Sequence, residues 1–491
     1  MTLPTDVAYA AWIAGEEGTR QENVALARNY YNGEHDCKLT ERQKEYLNFQ
    51  QSGDERFALN YCTGIVNAIV DRLIVGAFTS NDDTLSETVW DWWQQNRMDE
   101  RQRGVHLDAV RDGEAFVIVD WDQDNERPRF TPHPRYVDPN NGGDGYGCKA
   151  HYPNDDTSQP MTCASKRWTE KDESGDQQQM MTLYYPERVE RYRLESQGDE
   201  SDWRRIETVP WVTGMARDDE GNVEIAPGAE PLGIPVIHFR NPGRESELWD
   251  AIPVQDAVNK TALDILAAAD TAGFPIFVAK GFTPTTDGKA PDSDGDNYIS
   301  LFPGAMVEVA SDGDLSRIDM ADLSPMLATL DNLVLKLAQV TDTPTSRFQV
   351  TRQIAAEGTL KQQEEPLLAK VRVCQVLFGN SWEDALYMAR QLANEFGDAD
   401  LPDDEMVETT WEPAETRDDK ALLETLALKA NLGVPLETLW AEMGYDQSQI
   451  DAMKAQRGEE MAEQSNIGGE LLRQFESGGF SGGLASEERG M

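Results

Sequence analysis

The residues best suited to chemistry in this chain fail on spacing. Gly281 and Gly288-Lys289 suggest a phosphate-cradling loop, but the glycines stand seven apart instead of five, and Ala290 replaces the hydroxyl residue that would hold Mg²⁺. Asp292, Asp294 and Asp296 mimic the start of a calcium loop, yet Gly295 comes two positions early and Pro303 stands where the bidentate Glu belongs. The histidines are scattered with no His-Glu-x-x-His pair, and no Gly-x-Ser-x-Gly elbow occurs. Cys37, Cys62, Cys148, Cys163 and Cys374 are odd in number and contain no Cys-x-x-Cys pair, which predicts free thiols in a reducing compartment. No catalytic group, metal or cofactor is expected from these patterns.

The charge narrows the partners. Of 491 residues, 89 are acidic and 44 basic, a net charge of -45, so most of the surface should repel a free polyanion. Solubility and adaptation to high salt are the plain explanations; a wall past which a polyanion slides without sticking is the functional one. Residues 341–372 are the local exception, with 4 acidic and 5 basic residues, net +1; residues 397–465 have 18 and 5, net -13. The N-terminus lacks a basic and then apolar leader, and no apolar run approaches 18 residues, so neither a secretion signal nor a membrane span is expected.

The chain is organised around residues 324–396, where two long helices flank a polar linker. In the first, Ser324 is suited to an N-cap and Pro325 to the first turn, Leu327, Leu330, Val334 and Leu337 form a stripe, and the helix should stop near Thr343, before Pro344. In the second, Leu367, Val371, Cys374, Phe378, Trp382, Ala385, Ala389, Leu392 and Phe396 recur by threes and fours, with kinks expected at Pro366 and Gly379. Starting near Thr359, it would run about 57 Å.

The earlier chain predicts a helix over 20–31 ending at Gly33, then one from Phe57 with Ile65, Ile69 and Leu73 on one face. Thr84 and Glu87 suggest a capping box for a helix whose Trp90, Trp92 and Trp93 read as core or interface anchors, and a further helix runs to Arg111. The period then drops to two, predicting short antiparallel strands over 115–121, 128–132, 147–152, 165–169, 180–185, 187–194 and 234–240. A long helix is expected over 243–273, with Val254, Val258, Ala262, Ile265 and Ala269 on one stripe and Asp256, Lys260 and Asp264 opposite. Strands over 274–281 and 299–309 should flank an acidic loop; short helices over 418–431 and 435–443 and a third after Asp446 should precede a disordered tail from about residue 466.

Four stretches resemble the phage portal proteins, specifically the SPP1 portal-like family of tailed siphophages. They are Tyr30-Tyr31-Asn32-Gly33-Glu34-His35; Leu59-Asn60-Tyr61-Cys62 with Ile65-Val66 and Asp71-Arg72-Leu73; Gly243-Arg244-Glu245-Ser246-Glu247-Leu248 with Gln255-Asp256-Ala257-Val258-Asn259-Lys260; and Glu365-Pro366-Leu367 with Ala369-Lys370-Val371. Order and spacing carry the likeness, which covers nearly the whole chain.

The resemblance implies an α+β portal fold: a wing of helices and antiparallel sheet (1–242), a first stem helix (243–273), an α/β clip (274–323), a second stem helix (324–343), a tunnel loop (344–358), a long kinked helix (359–396), a return to the wing (397–415), a helical crown (416–465) and the tail (466–491). It implies a non-enzymatic ring, typically of twelve, at one capsid vertex, assembled in the host cytoplasm. A terminase pumps double-stranded DNA through the ring, and the major capsid protein and a head-to-tail adaptor adjoin it. In the tunnel loop, Arg347 and Arg352 are the cations, Gln349, Thr351 and Gln353 could bond a DNA backbone, and Pro344 and Gly358 bracket the segment as hinges. Val254, Val258, Ile265, Leu330, Val334 and Leu337 are the expected stem packing. The competing classes are a metal-dependent nucleic-acid enzyme, which the lack of a His/Asp cluster opposes, and a capsid-assembly scaffold.

Overall fold

The computed structural model describes residues 18–35, 37, 57–137, 147–171, 175, 177–195, 203–217, 223–273, 276–280, 314–318, 322–348, 357–415, 419–443, 453–454 and 456–457. They fall in two units, Met1–Ala414 and Glu415–Met491. The Asp-rich loop, the strand expected over 299–309 and the tail from residue 466 lie outside the described residues.

In the first unit, α1 (Gly18–Asn32) ends as expected, with Gly33 at φ +83°. Helix α2 (Cys62–Val70) begins only after Asn60, whose side-chain oxygen accepts from the Cys62 N–H, and it buries Ile65 and Ile69. The residues after α2 do not continue the helix: Val75–Thr79 form strand β1. Helix α3 (Asp83–Gln95) is capped by Asp82, whose carboxylate accepts from the Thr84 and Leu85 N–H groups, so the expected Thr84–Glu87 capping box is replaced by an earlier acidic cap. Trp92 and Trp93 are buried, as a core role requires. Helix α4 (Met98–Asp112) stops at Gly113, whose φ of +89° and close approach to the Arg244 carbonyl both exclude a side chain.

Strands β2 (Glu114–Asp122) and β3 (Arg127–Pro134) follow; β4 (Cys148–His151), β5 (Cys163–Lys171), β6 (Gln177–Tyr184), β7 (Arg188–Leu194) and β8 (Trp203–Pro210) make a five-stranded antiparallel sheet in that order. A small hairpin, β9 (Met215–Arg217) with β10 (Val223–Ile225), precedes β11 (Val236–Arg240), which pairs with the free side of β2 to give the order β11-β2-β3. Strands β1, β8, β9 and β10 were not expected from the periodicity. Strand β2 is buried on both faces: Ala115, Val117 and Val119 join the helical core, while Phe116 and Ile118 join a second core with Cys148, Ala150 and Ala164. Alternation with apolar residues on both sides follows from that sandwiched position.

Helix α5 (Ala251–Gly273) starts eight residues later than the expected Gly243, because Pro242–Arg244 form a 3₁₀ turn with Gly243 at φ +69°. Its buried face is Ala251, Ile252, Gln255, Val258, Asn259, Ala262 and Leu263, whereas Val254 and Ile265 are half-buried and Ala269 is exposed. Strands β12 (Ile276–Lys280) and β13 (Asp314–Ile318) pair antiparallel, and α6 (Ser324–Val340) packs along α5. Ser324 lies inside the first turn of α6 instead of capping it; Asp322 accepts its N–H at 2.9 Å. Helix α7 (Glu357–Phe396) is 40 residues long, and its stripe from Leu367 to Leu392 is buried as the period predicts. Strand β14 (Glu408–Trp411) then returns to pair with β1. In the second unit, α8 (Asp419–Asn431) and α9 (Leu436–Met443) meet through a turn in which Gly433 takes φ +89°, with Leu426 and Leu439 buried. Mixed helices and antiparallel sheets make this an α+β protein.

The centre of the first unit is polar as well as apolar. His106 donates from Nδ1 to the Leu73 carbonyl at 3.0 Å and accepts the Trp382 indole N–H at Nε2 at 2.9 Å, which requires a neutral ring. Burial lowers its pKa from 6.5 to about 4. Between those values the unfolded imidazole binds a proton that the folded one refuses, so this stabilisation is complete above pH 6.5 and is lost as pH falls towards 4. The expected size is up to about 3 kcal/mol. Thermal unfolding at stepped pH should show this loss, and His106→Gln should flatten that part of the curve; an unchanged slope would refute the assignment.

Candidate nucleic-acid interface

The residues from Thr341 to Phe348 descend from the end of α6 and are seated against α2 and α7. Helix α6 ends at Val340, three residues before the expected stop, in a turn where Asp342 takes φ +54° and the Thr343 N–H reaches back to the Ala338 carbonyl at 3.0 Å. Thr341, Thr343 and Pro344 are buried. Thr345–Arg347 form a 3₁₀ turn, and the Phe348 ring stands edge-on to Tyr61 at 5.5 Å.

Charged side chains surround this seat. Arg347 lies 3.9 Å from Asp71, which Arg103 also holds at 2.9 Å. Arg72 donates to the Ala68 carbonyl and lies 3.5 Å from Glu364 on α7; burial, followed by the nearby Arg347, lowers its guanidinium pKa. Lys370 of α7 pairs with Glu247, donates to the Thr341 carbonyl at 3.0 Å and lies 3.6 Å from Asp342. Glu247 is raised in pKa chiefly by burial.

The expected site residues divide accordingly. Arg347 is the described member of the DNA-facing set, and its side chain is partly exposed beside Asp71. Gln349, Thr351, Arg352 and Gln353 lie outside the described residues. Pro344 is buried in the seat, Gly358 falls in the first turn of α7, and Pro366 lies in the helix interior on an exposed face. Gly379 lies beside β14: its carbonyl accepts from the Thr409 hydroxyl at 3.2 Å, and a Cβ there would come into contact with the Trp411 indole nitrogen at 3.4 Å. Val258, Val334 and Leu337 are buried, while Val254, Ile265 and Leu330 are half-buried and Leu327 is 50% exposed.

A second polar cluster, not expected from the sequence, joins α5 to the N-terminal helices. Asn259 accepts from the Leu59 N–H at 2.9 Å, and Gln255 accepts from the Tyr61 N–H at 3.1 Å while donating to the Leu59 carbonyl at 2.7 Å. The Asn259 amide meets His35 Nδ1 at 2.7 Å, and His35 Nε2 donates to the Tyr30 carbonyl at 3.0 Å. Desolvation lowers the His35 pKa, in keeping with the neutral ring this arrangement needs. Tyr30 donates its hydroxyl to Asp256 at 2.6 Å. Gln255 and Asn259, at i and i+4, sit on one helical face, and that spacing was the available signal.

These groups hold distant parts of the chain in position. Burial pushes the Cys62 and Cys374 thiols up to about 12, so both stay protonated and pack as small apolar groups. Among the described residues, no group of three or more His, Cys, Asp or Glu side chains is arranged to hold a metal ion, and no helix is long and apolar enough to cross a membrane. Asn259→Leu should cost about 2–4 kcal/mol in denaturant unfolding, since it leaves the Leu59 N–H and His35 unsatisfied. A loss under about 0.5 kcal/mol, the scale of an ordinary surface change, would show that the cluster contributes little.

The family model described as phage portal protein, SPP1 Gp6-like, matches residues 11–463. The chain is similar to a portal protein of Mycobacterium phage D29, at 23% identity over 423 residues, covering 81% of this chain and 78% of that protein. It is likewise similar to a portal protein of Mycobacterium phage L5, at 22% identity over 427 residues with the same coverage. With the match running from α1 through the second unit, the chain belongs to the family of phage portal proteins of the SPP1 Gp6-like kind.

Proposed function

We propose that the chain is the subunit of a head-to-tail connector: a ring, probed first as a dodecamer, at one capsid vertex. Double-stranded DNA is packaged through it by a terminase and later ejected, and a tail or adaptor attaches to it. The observation that carries this reading is the family match over 11–463. The role is structural, within the virion, with assembly in the host cytoplasm and the major capsid protein as neighbour. The domain reading keeps residues 1–242 and 397–415 as wing, 274–323 as clip, 344–358 as tunnel loop, 359–396 as long helix and 416–465 as crown, with the helix of the first stem part starting at Ala251 and that of the second ending at Val340. It is supported by the pairing of β1 with β14, by the packing of α5 along α6, and by the hairpin pairing of β12 with β13 between those helices.

Ring formation is supported by apolar residues left open on the two central helices. Leu327, Leu335 and Val340 of α6 and Val373 and Val376 of α7 are exposed in the single chain. Burying a Val or Leu of this kind is worth about 1.5–3 kcal/mol, so covering this surface favours association of subunits. Leu335→Asp should give monomers or aggregates in analytical ultracentrifugation and electron microscopy. Unaltered rings would count against a stem contact through α6.

In this reading Arg347 and Arg352 touch passing DNA through phosphates, with Gln349, Thr351 and Gln353 bonding the backbone without adding charge, and with Pro344, Gly358, Pro366 and Gly379 as the points about which the segment and long helix adjust. Arg347 is already partly neutralised by Asp71, which keeps the contact weak enough to release. Replacing Arg347 and Arg352 together by alanine should leave rings intact and lower the DNA content of virions. Loss of rings, with normal packaging by any that survive, would retire the DNA-contact role.

A further inference from the structure

Lys370 stands where three separate parts of the chain meet. Its ammonium pairs with Glu247, just before α5, and donates to the Thr341 carbonyl at 3.0 Å, the first residue after α6, while projecting from α7. Asp342, in the left-handed turn, is its third neighbour at 3.6 Å. A cation on the last carbonyls of a helix satisfies an otherwise orphaned acceptor and meets the negative end of the helix dipole. Here that cation comes from a different helix. Glu247 is itself tied to the body through its N–H, which donates to the Val110 carbonyl at 3.0 Å. The connection therefore runs from α4 through Glu247 and Lys370 to the end of α6, immediately ahead of Pro344.

We propose that Lys370 is the positioning residue of the DNA-facing segment: it fastens the end of α6 to α7, so that the chain travels with the long helix up to Pro344, the point from which the segment adjusts. This rests on the reading of 344–358 as that segment. The seat below it is apolar apart from one loose ion pair: Phe348 packs on Tyr61 and the helical core, and Arg347 lies 3.9 Å from Asp71. Lys370 supplies the charge-assisted bonds that such a seat lacks.

The test compares Lys370→Met, Lys370→Arg and Glu247→Gln in the assembled protein and in virions, by hydrogen exchange and by DNA content. In Lys370→Met, amides of 341–348 should exchange about ten-fold faster or more, as loss of charge-assisted bonds predicts. The amides of β4–β8 should keep their protection, rings should form, and DNA content should fall, with Lys370→Arg restoring part of both changes. Exchange at 341–348 that does not change, or that rises equally across the chain, would overturn the proposal. Should Lys370→Met fail to fold, Glu247→Gln decides: local loss of protection supports the clamp and none refutes it. Faster local exchange with full DNA content overturns the positioning role alone if the double arginine variant packages poorly. If that variant also packages normally, the DNA-facing reading falls as well.

Discussion

The architecture of the first unit depends on burying one side of a 40-residue helix. In a protein most of a helix's stability comes from packing its apolar face and not from propensity, so the 40 residues of helix α7 depend on their apolar stripe. The middle of that stripe is Trp382, which packs edge-on to Trp93 at 4.8 Å and to Phe239 at 4.5 Å and gives its indole N–H to His106. Helix α3, strand β11 and helix α4 are thereby gathered on one residue. The cost of burying an indole N–H and an imidazole is offset because each satisfies the other, with Leu73 taking the remaining imidazole proton.

Around this helix the protein uses polar contacts where elements distant in sequence must be held at fixed points. The α5 face that meets the N-terminal helices carries Gln255 and Asn259 among apolar residues, and their amides close on the backbone of Leu59 and Tyr61. Backbone groups between α1 and α2 that belong to no helix or strand find their partners there. Lys370 with Glu247 and the end of α6 follows the same principle. Apolar packing supplies most of the burial energy but tolerates sliding; a buried amide pair or a capped helix end has one register.

The four stretches that carried the family resemblance gain a physical meaning from these contacts. Tyr30 to His35, Leu59 to Cys62 and Gln255 to Lys260 meet in the amide cluster. The stretch from Gly243 to Leu248 meets the one from Glu365 to Val371 through Glu247 and Lys370. Stretches far apart in sequence are thus the two sides of shared contacts.

The sequence by itself determined the elements whose cause is local. The stripe of α7, the two-sided alternation of β2, the end of α1 at Gly33 and the short helices around Gly433 all follow from periodicity and turn chemistry over a few residues. Only the tertiary structure decided the rest, because partner choice is not encoded at short range. Val75–Thr79 reads as a continuation of the preceding helix until Glu408–Trp411 returns to pair with it. Ser324 and Thr84 are good caps by type, but Asp322 and Asp82 stand two residues earlier and accept the N–H groups of Ser324 and Thr84 themselves, so both hydroxyl residues fall inside the first turn. Gly379 resembles a hinge in sequence; in the fold it is the place where β14 packs on α7, its carbonyl accepting from the Thr409 hydroxyl. His35, Gln255, Asn259 and Lys370 could each be a solvated polar residue; burial against a distant partner makes the first three structural, and the half-buried Lys370 becomes so through Glu247 and the Thr341 carbonyl.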